Sequence, residues 1–492
     1  MSLELLDRLD LWKSRFGPDG EGQLERLLGR IAAHRFREPQ PLIRLHETLL
    51  FLRAYPRSHE VARLADQILF SFQDRIGEDF DPFESPEVSG IAGTSLTAVF
   101  TYEVARRLAG LYPREIEIGW DRYDEPDRMG NVLCRFLPML KEDYPVEAHV
   151  PFQAWVAQAH RRGVTDLAWL LEQLESQPAG ERAELFESMQ VPLTWRMRNS
   201  RASRSRLRWP VEKFYLHQGP LLRRGDISLA REMNGPPLPV RRLEHAETRR
   251  ILDLILATSA MRYRELYGFT HPEESAVYRA AAGRGVDIFF FGVPPAWRLP
   301  LRAYHAAMFF KNGVPAGYVE LLSLFERAEI GFNLYYTFRE GESAWIYARL
   351  LLLFRQVLGV TCFSVDPYQI GHENFEAVES GAFWFYRKLG FRPTDPQVAR
   401  LVEREERRMR ETPGYRSSRR TLEHLSEGYM LYEVPGTESG AWDHFSIRTL
   451  AQQLQRRGLP PSKPAGQESI HLRRTQKDTR LRAQWLKLGS RS

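Results

Sequence analysis

The sequence predicts an α/β fold: an all-helical N-terminal domain followed by a mixed sheet flanked by helices. Three observations point to it. Apolar residues recur at spacings of three and four through the first 195 residues, the pattern of amphipathic helices. From about residue 237 the chain turns to short segments rich in aromatic and β-branched residues. Those segments alternate with helical ones in the order strand, helix, strands, long strand, helix, strand, helix, strand. A chain of 492 residues is too long for one comfortable core and divides into two or three domains. The reading places a helical domain at 1–195, an Arg-, Pro- and Gly-rich connecting segment at 196–236, a sheet domain at 237–436 and a basic, partly disordered tail at 437–492.

Each element has a local reason. Leu3, Leu6, Leu9 and Leu11 open the helical pattern, and LIRLHETLLFLRAY (42–55) and VARLADQILFSF (61–72) continue it. TSLTAVFTYEVARRLAGLY (94–112) and VPFQAWVAQAHRRG (150–163) repeat the spacing, with Pro and Gly clusters between them. In the second half, PVRRLEHAETRRILDLIL (239–256) reads as a short strand leading into a helix. VDIFFFGV (286–293) and LRAYHAAMFFKN (301–312) read as strands, and Asn312-Gly313 is a hairpin turn into PAGYVELLSLF (315–325). RAEIGFNLYYTF (327–338) is the next strand, SAWIYARLLLLFRQVLG (343–359) a helix ending on glycine, and VTCFSVDPY (360–368) a strand. ESGAFWFYRKLGF (379–391) is a helix with one apolar face, Val378, Ala382, Phe385, Tyr386 and Leu389. Gly390 suits the left-handed position past its end, with Phe391 folding back on Tyr386. A charged helical insertion, ARLVEREERRMRET (399–412), leads to the closing strand SEGYMLYEVP (426–435).

Composition narrows the function classes. No apolar run reaches the length of a membrane span, and the acidic, base-poor start MSLELLDRLD is not a secretory signal. Two distant cysteines, Cys134 and Cys362, fit a reducing cytoplasmic compartment rather than a disulfide framework. His305 and His372 have no second ligand at useful spacing, so no metal site is expected. The net charge of +6 is unevenly placed: residues 441–492 hold eleven Lys/Arg against three Asp/Glu, leaving −2 for the rest. A second basic run, RMRNSRASRSRLR (196–208), carries six arginines between Trp195 and Trp209. Such segments could contact a polyanion, or be solvated surface.

The segment from about 239 to 435 resembles the GNAT superfamily of acyl-CoA N-acyltransferases. PVRRLEHAETRRILDLI is similar to its first strand and helix, and the hairpin 301–325 to its second and third strands. RAEIGFNLYYTF with REGESA is similar to its fourth strand and diphosphate loop, and AFWFYRKLGF to the ending of its fourth helix. The resemblance implies acetyl-CoA or another acyl-CoA as co-substrate, no metal, and a small-molecule or peptide amine as acceptor. Carried over position by position, it implies a CoA site at Asn333, Tyr335, Tyr336, Phe338, Arg339, Gly341, Ser343 and Ala344. A main-chain N–H within Asn333–Tyr336 would hold the thioester oxyanion, and Tyr386 would protonate the leaving thiolate.

The chemistry behind these residue types is general. A diphosphate needs converging N–H groups at a helix start, where small residues let the backbone approach. Phe338 stands where the family carries Arg or Gln, with Arg339 one step later, and Glu340 and Glu342 bring negative charge to the loop. Thr337–Glu340 also fits a capping box, a structural role that needs no ligand. Glu320 and Glu329 are the strand carboxylates placed to act as a base, and Asp366 and Tyr368 lie at the strand end beside the expected acceptor cleft. The plainer reading of all four is as solvent-facing strand residues, and of Tyr386 as core packing. The expected function is acyl transfer to an amine. The alternative is a non-catalytic fold of this type whose Arg-rich segments contact nucleic acid or an acidic partner.

Overall fold

The computed structural model describes residues 2–450, apart from 14, 17, 78–80, 142–149, 198–200, 300–301, 438–439, 441 and 446–448. The chain divides into two compact units: residues 1–220 with 249–270, and residues 221–248 with 271–492.

The first unit is mainly helical, but it is not all helical. Pro39–Ala54 and His59–Phe70 pack as a helical pair, the second started by Ser58, whose hydroxyl accepts from the Val61 N–H at 3.1 Å. The segment TSLTAV, expected to continue a helix, is instead strand β1 (Ser95–Val99), and the helix begins only at Tyr102. With β2 (Ile116–Ile118) and β3 (Pro192–Arg196) it forms a three-stranded antiparallel sheet in the order β1-β3-β2. The strand wins because Leu96 lies opposite Trp195 and both are buried. That contact comes from far along the chain, where local periodicity gives no warning of it.

Among the described residues of the arginine-rich run, Met197, Ala202, Ser203, Arg204, Ser205 and Leu207 are buried. Ser205 Oγ lies 2.9 Å from His46 Nε2 and accepts from the Ala92 N–H at 3.0 Å. His46 Nδ1 lies 3.0 Å from Glu47, which accepts from Arg204 at 2.8 and 2.9 Å. Both Ser205 and Arg204 are buried, so this Ser–His–Glu series stitches the run into the helices. Trp195 and Trp209 are buried as well and are not exposed stacking surfaces.

The second unit is built on one mixed sheet. Its strands are β4 (Val240–Arg242), β5 (Tyr278–Gly283), β6 (Val286–Gly292), β7 (Ala303–Lys311), β8 (Val314–Leu324), β9 (Arg327–Leu334), β10 (Cys362–Val365), β11 (Arg392–Pro393) and β12 (Met430–Glu433). Among the described residues the order is β11-β12-β10-β9-β8-β7-β6-β5-β4. Only β9 and β10 pair in parallel; every other neighbouring pair is antiparallel. Asn312 (φ 46°) and Gly313 (φ 78°) make the tight turn of the β7–β8 hairpin, as their sequence predicts. The helix Ser343–Leu358 returns the chain from β9 to β10 and ends on Gly359 at φ 73°.

The helix expected across 379–391 is two short ones, Phe375–Ser380 and Ala382–Lys388, broken at Gly381 with φ 68°. A left-handed residue redirects the chain where a continuous apolar stripe suggested no break. Its ending matches expectation: Gly390 has φ 105°, the Phe391 N–H bonds to Tyr386 O at 3.2 Å, and their rings lie 5.5 Å apart. The charged helix Pro396–Glu411 is capped by Asp395 and buries only Val398, Val402 and Glu405. Beyond β12, Trp442, Phe445 and Leu450 pack with Leu324, Phe325, Cys362 and Leu431, so the region expected as tail begins inside the core. Residues 451–492, which hold most of the expected basic tail, lie outside the described residues. No described helix is long and apolar enough to cross a membrane.

Candidate functional site

The pairing of β9 with β10 stops early. Cys362, Phe363 and Ser364 lie beside Arg327, Ala328 and Glu329, but β9 runs on to Leu334 while β10 ends at Val365. Asp366 then turns the chain away by capping the short helix Pro367–Ile370, its carboxylate accepting from the Tyr368 N–H at 2.9 Å. The second half of β9 therefore has β8 on one side and a gap on the other. Gln369 reaches back into the gap and donates from Nε2 to the Phe332 carbonyl at 2.8 Å.

That bond fixes the phase of the strand. The N–H and C=O of one residue in a strand point to the same side, and successive residues alternate. Phe332 and Leu334 therefore present their amides to the gap. Asn333 and Tyr335 face β8 instead, and the Tyr335 N–H bonds to Ala316 O at 3.0 Å. Within the expected range Asn333–Tyr336, the Leu334 amide thus faces the gap, whereas those of Asn333 and Tyr335 do not. A strand phase is set by its neighbours, which the sequence alone does not display.

Two clefts border the gap, and Gln369 lines both. The first, about 240 Å³, is lined by Phe332, Asn333 and Leu334 of β9, by Arg339 and Ser343, and by Gln369, Asn374, Glu376, Ala377, Ser380, Ala382, Phe385 and Tyr386. The helix Ser343–Leu358 opens onto it. Its first intrahelical bond of this turn is from Ile346 to Glu342 O at 3.0 Å, which leaves the amides of Ser343, Ala344 and Trp345 without intrahelical acceptors. No side chain caps this end, so Thr337–Glu340 is not a capping box; Tyr336–Phe338 is a 3₁₀ turn and the helix starts later.

The loop residues divide by environment. Arg339 lines the first cleft, lies over the Tyr336 ring at 5.3 Å and is paired with Glu376. Tyr336 is exposed, while the side chains of Tyr335, Phe338 and Ala344 are buried. The Gly341 N–H is already bonded to Phe338 O at 2.9 Å. Glu342 does not oppose an anion in the cleft. Its fully buried carboxylate takes Lys311 Nζ at 3.3 Å, Arg284 Nε at 3.1 Å and the Leu222 N–H at 3.1 Å. Burial pushes the Lys311 ammonium down to about 8, with Glu342 acting against that shift.

Tyr386 borders the first cleft and is 2% exposed. Its hydroxyl is pushed well above the usual phenol range by burial, partly offset by hydrogen bonding with Gln369. It sits in an aromatic cluster with Tyr347 at 5.5 Å and Phe391 at 5.5 Å. Packing and cleft-lining roles therefore coexist in this residue.

The second cleft, about 470 Å³, brings together Glu320, Glu329, Asp366 and Tyr368, with Arg302, Tyr304 and Gln369. The register explains the first pair. Leu322 lies opposite Glu329 and Glu320 opposite Gly331, so both carboxylates project from one face of the sheet. The Tyr304 hydroxyl donates to Glu320, whereas Asp366 is committed to its cap and to the Tyr429 hydroxyl at 3.4 Å. Tyr368 is mostly exposed at the rim.

Gln369 borders both clefts, and neither it nor Phe332 was expected from sequence. A glutamine two residues past a Pro in a short turn carries no motif, and Phe332 contributes only backbone. Among the described residues no group of three or more His, Cys, Asp or Glu is placed to hold a metal. No family model, curated protein or solved structure matches the chain.

Proposed function

We propose that the second unit is a GNAT-like acyltransferase that moves an acyl group, acetyl being the simplest, from acyl-CoA to an amine. The observation that carries this reading is the gap beside β9, bordered by two clefts that share Gln369. Such a gap lets a thioester lie along one face while a nucleophile approaches its carbonyl from the other.

In this reading the donor occupies the first cleft. Its diphosphate is held by the helix start at Ser343 and by Arg339, which releases Glu376 to do so. The Phe332 or Leu334 amide donates to the thioester oxygen as it gains charge. The amine enters the second cleft as an ammonium drawn by Glu320 and Glu329, and Glu329 takes its proton. The amine nitrogen then bonds to the thioester carbon, the C–S bond breaks, the thiolate takes a proton from Tyr386, and the nitrogen sheds its second proton to solvent, from which Tyr386 regains its own. Burial keeps the Tyr386 phenol protonated, while also making it a weaker acid than a free phenol. Asp366 serves as a cap rather than as the base. Both cysteines are free, which suits a reducing cytoplasmic compartment.

The test is thermal unfolding with and without acetyl-CoA. A hundredfold excess over the Kd stabilises the native state by about 2.7 kcal/mol, and Arg339→Ala should lose most of that shift. No shift at millimolar acetyl-CoA or longer-chain acyl-CoA, together with no thiol release in the presence of amines, removes the proposal.

A further inference from the structure

The first unit carries a separate cleft of about 920 Å³ whose walls are dominated by arginine. Arg53 forms part of its floor, and Arg201, Arg206, Arg208 and Arg250 stand around it. Its two carboxylates are already compensated. Asp66 is shared by Arg53, at 3.2 Å, and Arg208, while Asp253 pairs with Arg107 at 3.3 Å. Arg206 spends its guanidinium on neutral acceptors, Phe70 O and Gln73 Oε1, each at 2.7 Å. Arg250 lies over the Trp209 ring at 5.5 Å. Arg201, Arg206 and Arg250 therefore leave positive charge at the cleft that no internal carboxylate in its wall cancels.

The rim also carries an aromatic ring where a core residue would be hidden. Phe70 is 68% exposed although it ends an amphipathic helix, and Arg206 stacks on it at 4.4 Å from the ring centre. Guanidinium groups spaced along a groove neutralise a phosphodiester backbone, and an exposed ring beside them stacks a base that is not paired. We propose that this cleft binds single-stranded nucleic acid, with Arg201, Arg206 and Arg250 on phosphates and Phe70 stacked on a base. The inference does not rest on the acyltransferase reading.

The experiment is fluorescence anisotropy of the full chain with labelled twelve-nucleotide single-stranded RNA, the matching DNA and the duplex, across a KCl series. Either single strand should bind with a steep salt dependence, and the RNA and DNA arms report whether a 2′-hydroxyl is read. Arg201→Ala and Arg250→Ala should each reduce the salt slope by about 0.7. Phe70→Ala should weaken binding about fivefold or more with an unchanged slope. All three side chains are exposed, so the melting temperature should not move. Four results overturn the proposal: no binding at low salt, preference for the duplex, binding of pyrophosphate or mononucleotide alone, or oligonucleotide binding that all three substitutions leave intact. The last would assign binding to other basic segments.

Discussion

At the scale of single residues, burial decides which groups can exchange protons. Tyr386 holds its proton because the phenolate would have to exist among Tyr347, Phe385 and Phe391 rather than in water. Tyr386→Phe keeps that packing and removes only the hydroxyl, so the reading above expects kcat to fall about a hundredfold with KM little changed. An unchanged rate would leave Tyr386 as packing alone. His46 shows the same physics acting on stability. Burial, assisted by Arg204 and Arg53 and opposed by Glu47, lowers it from 6.5 to about 4. As pH falls below 6.5 the unfolded chain takes up a proton that the folded chain still refuses. Stability present above that pH is thus lost progressively toward pH 4, by about 3 kcal/mol. Urea midpoints measured across this window should fall with acid. His46→Gln should flatten that slope while lowering stability at neutral pH. A slope unchanged in the variant would mean that other groups set it.

At the scale of elements, the sequence reported well on whatever local chemistry controls. The β7–β8 hairpin was legible because Asn-Gly satisfies a turn that demands positive φ at both central positions. The helix Ser343–Leu358 was legible from its apolar run and terminal glycine. Legibility failed where a distant partner chooses the outcome: β1 is a strand because β3 lies beside it, and the face that β9 turns to the gap depends on β8. The candidate site divides the same way. Arg339, Ser343, Asn333 and Tyr386 do meet in one cleft, and Glu320 and Glu329 do share a sheet face, while the side chains of Phe338 and Ala344 are buried. One element carries a constraint that composition hides. A Cβ at Gly317 of β8 would collide with the Asn333 carbonyl oxygen and the Phe309 ring. Because one obstacle is backbone, the hairpin cannot yield by a rotamer change. Gly317→Ala should therefore destabilise the protein by about 1–3 kcal/mol, read from a shifted urea midpoint. A neutral substitution would mean that β8 and β9 have more room than this.

At the scale of the whole molecule, the two units raise separable questions, because each contains its own cleft. Hydrogen exchange on the intact chain can ask both at once. Acetyl-CoA should protect amides near Phe332–Leu334, Ser343–Ile346 and Gln369–Tyr386, and leave the arginine-lined cleft of the first unit unchanged. Protection spread evenly over both units, or confined to the first, would contradict the assignment of the donor cleft. The gap beside β9 has a further consequence. Where a neighbouring strand would have held the Phe332 carbonyl with rigid main chain, this protein holds it with the amide of Gln369, at the end of a flexible side chain. Main chain can leave a sheet only by unfolding it, but a glutamine can leave by turning about single bonds. Passage between the two clefts is then a choice among rotamers, open to a ligand that offers Phe332 a better partner, and the sheet on either side need not move.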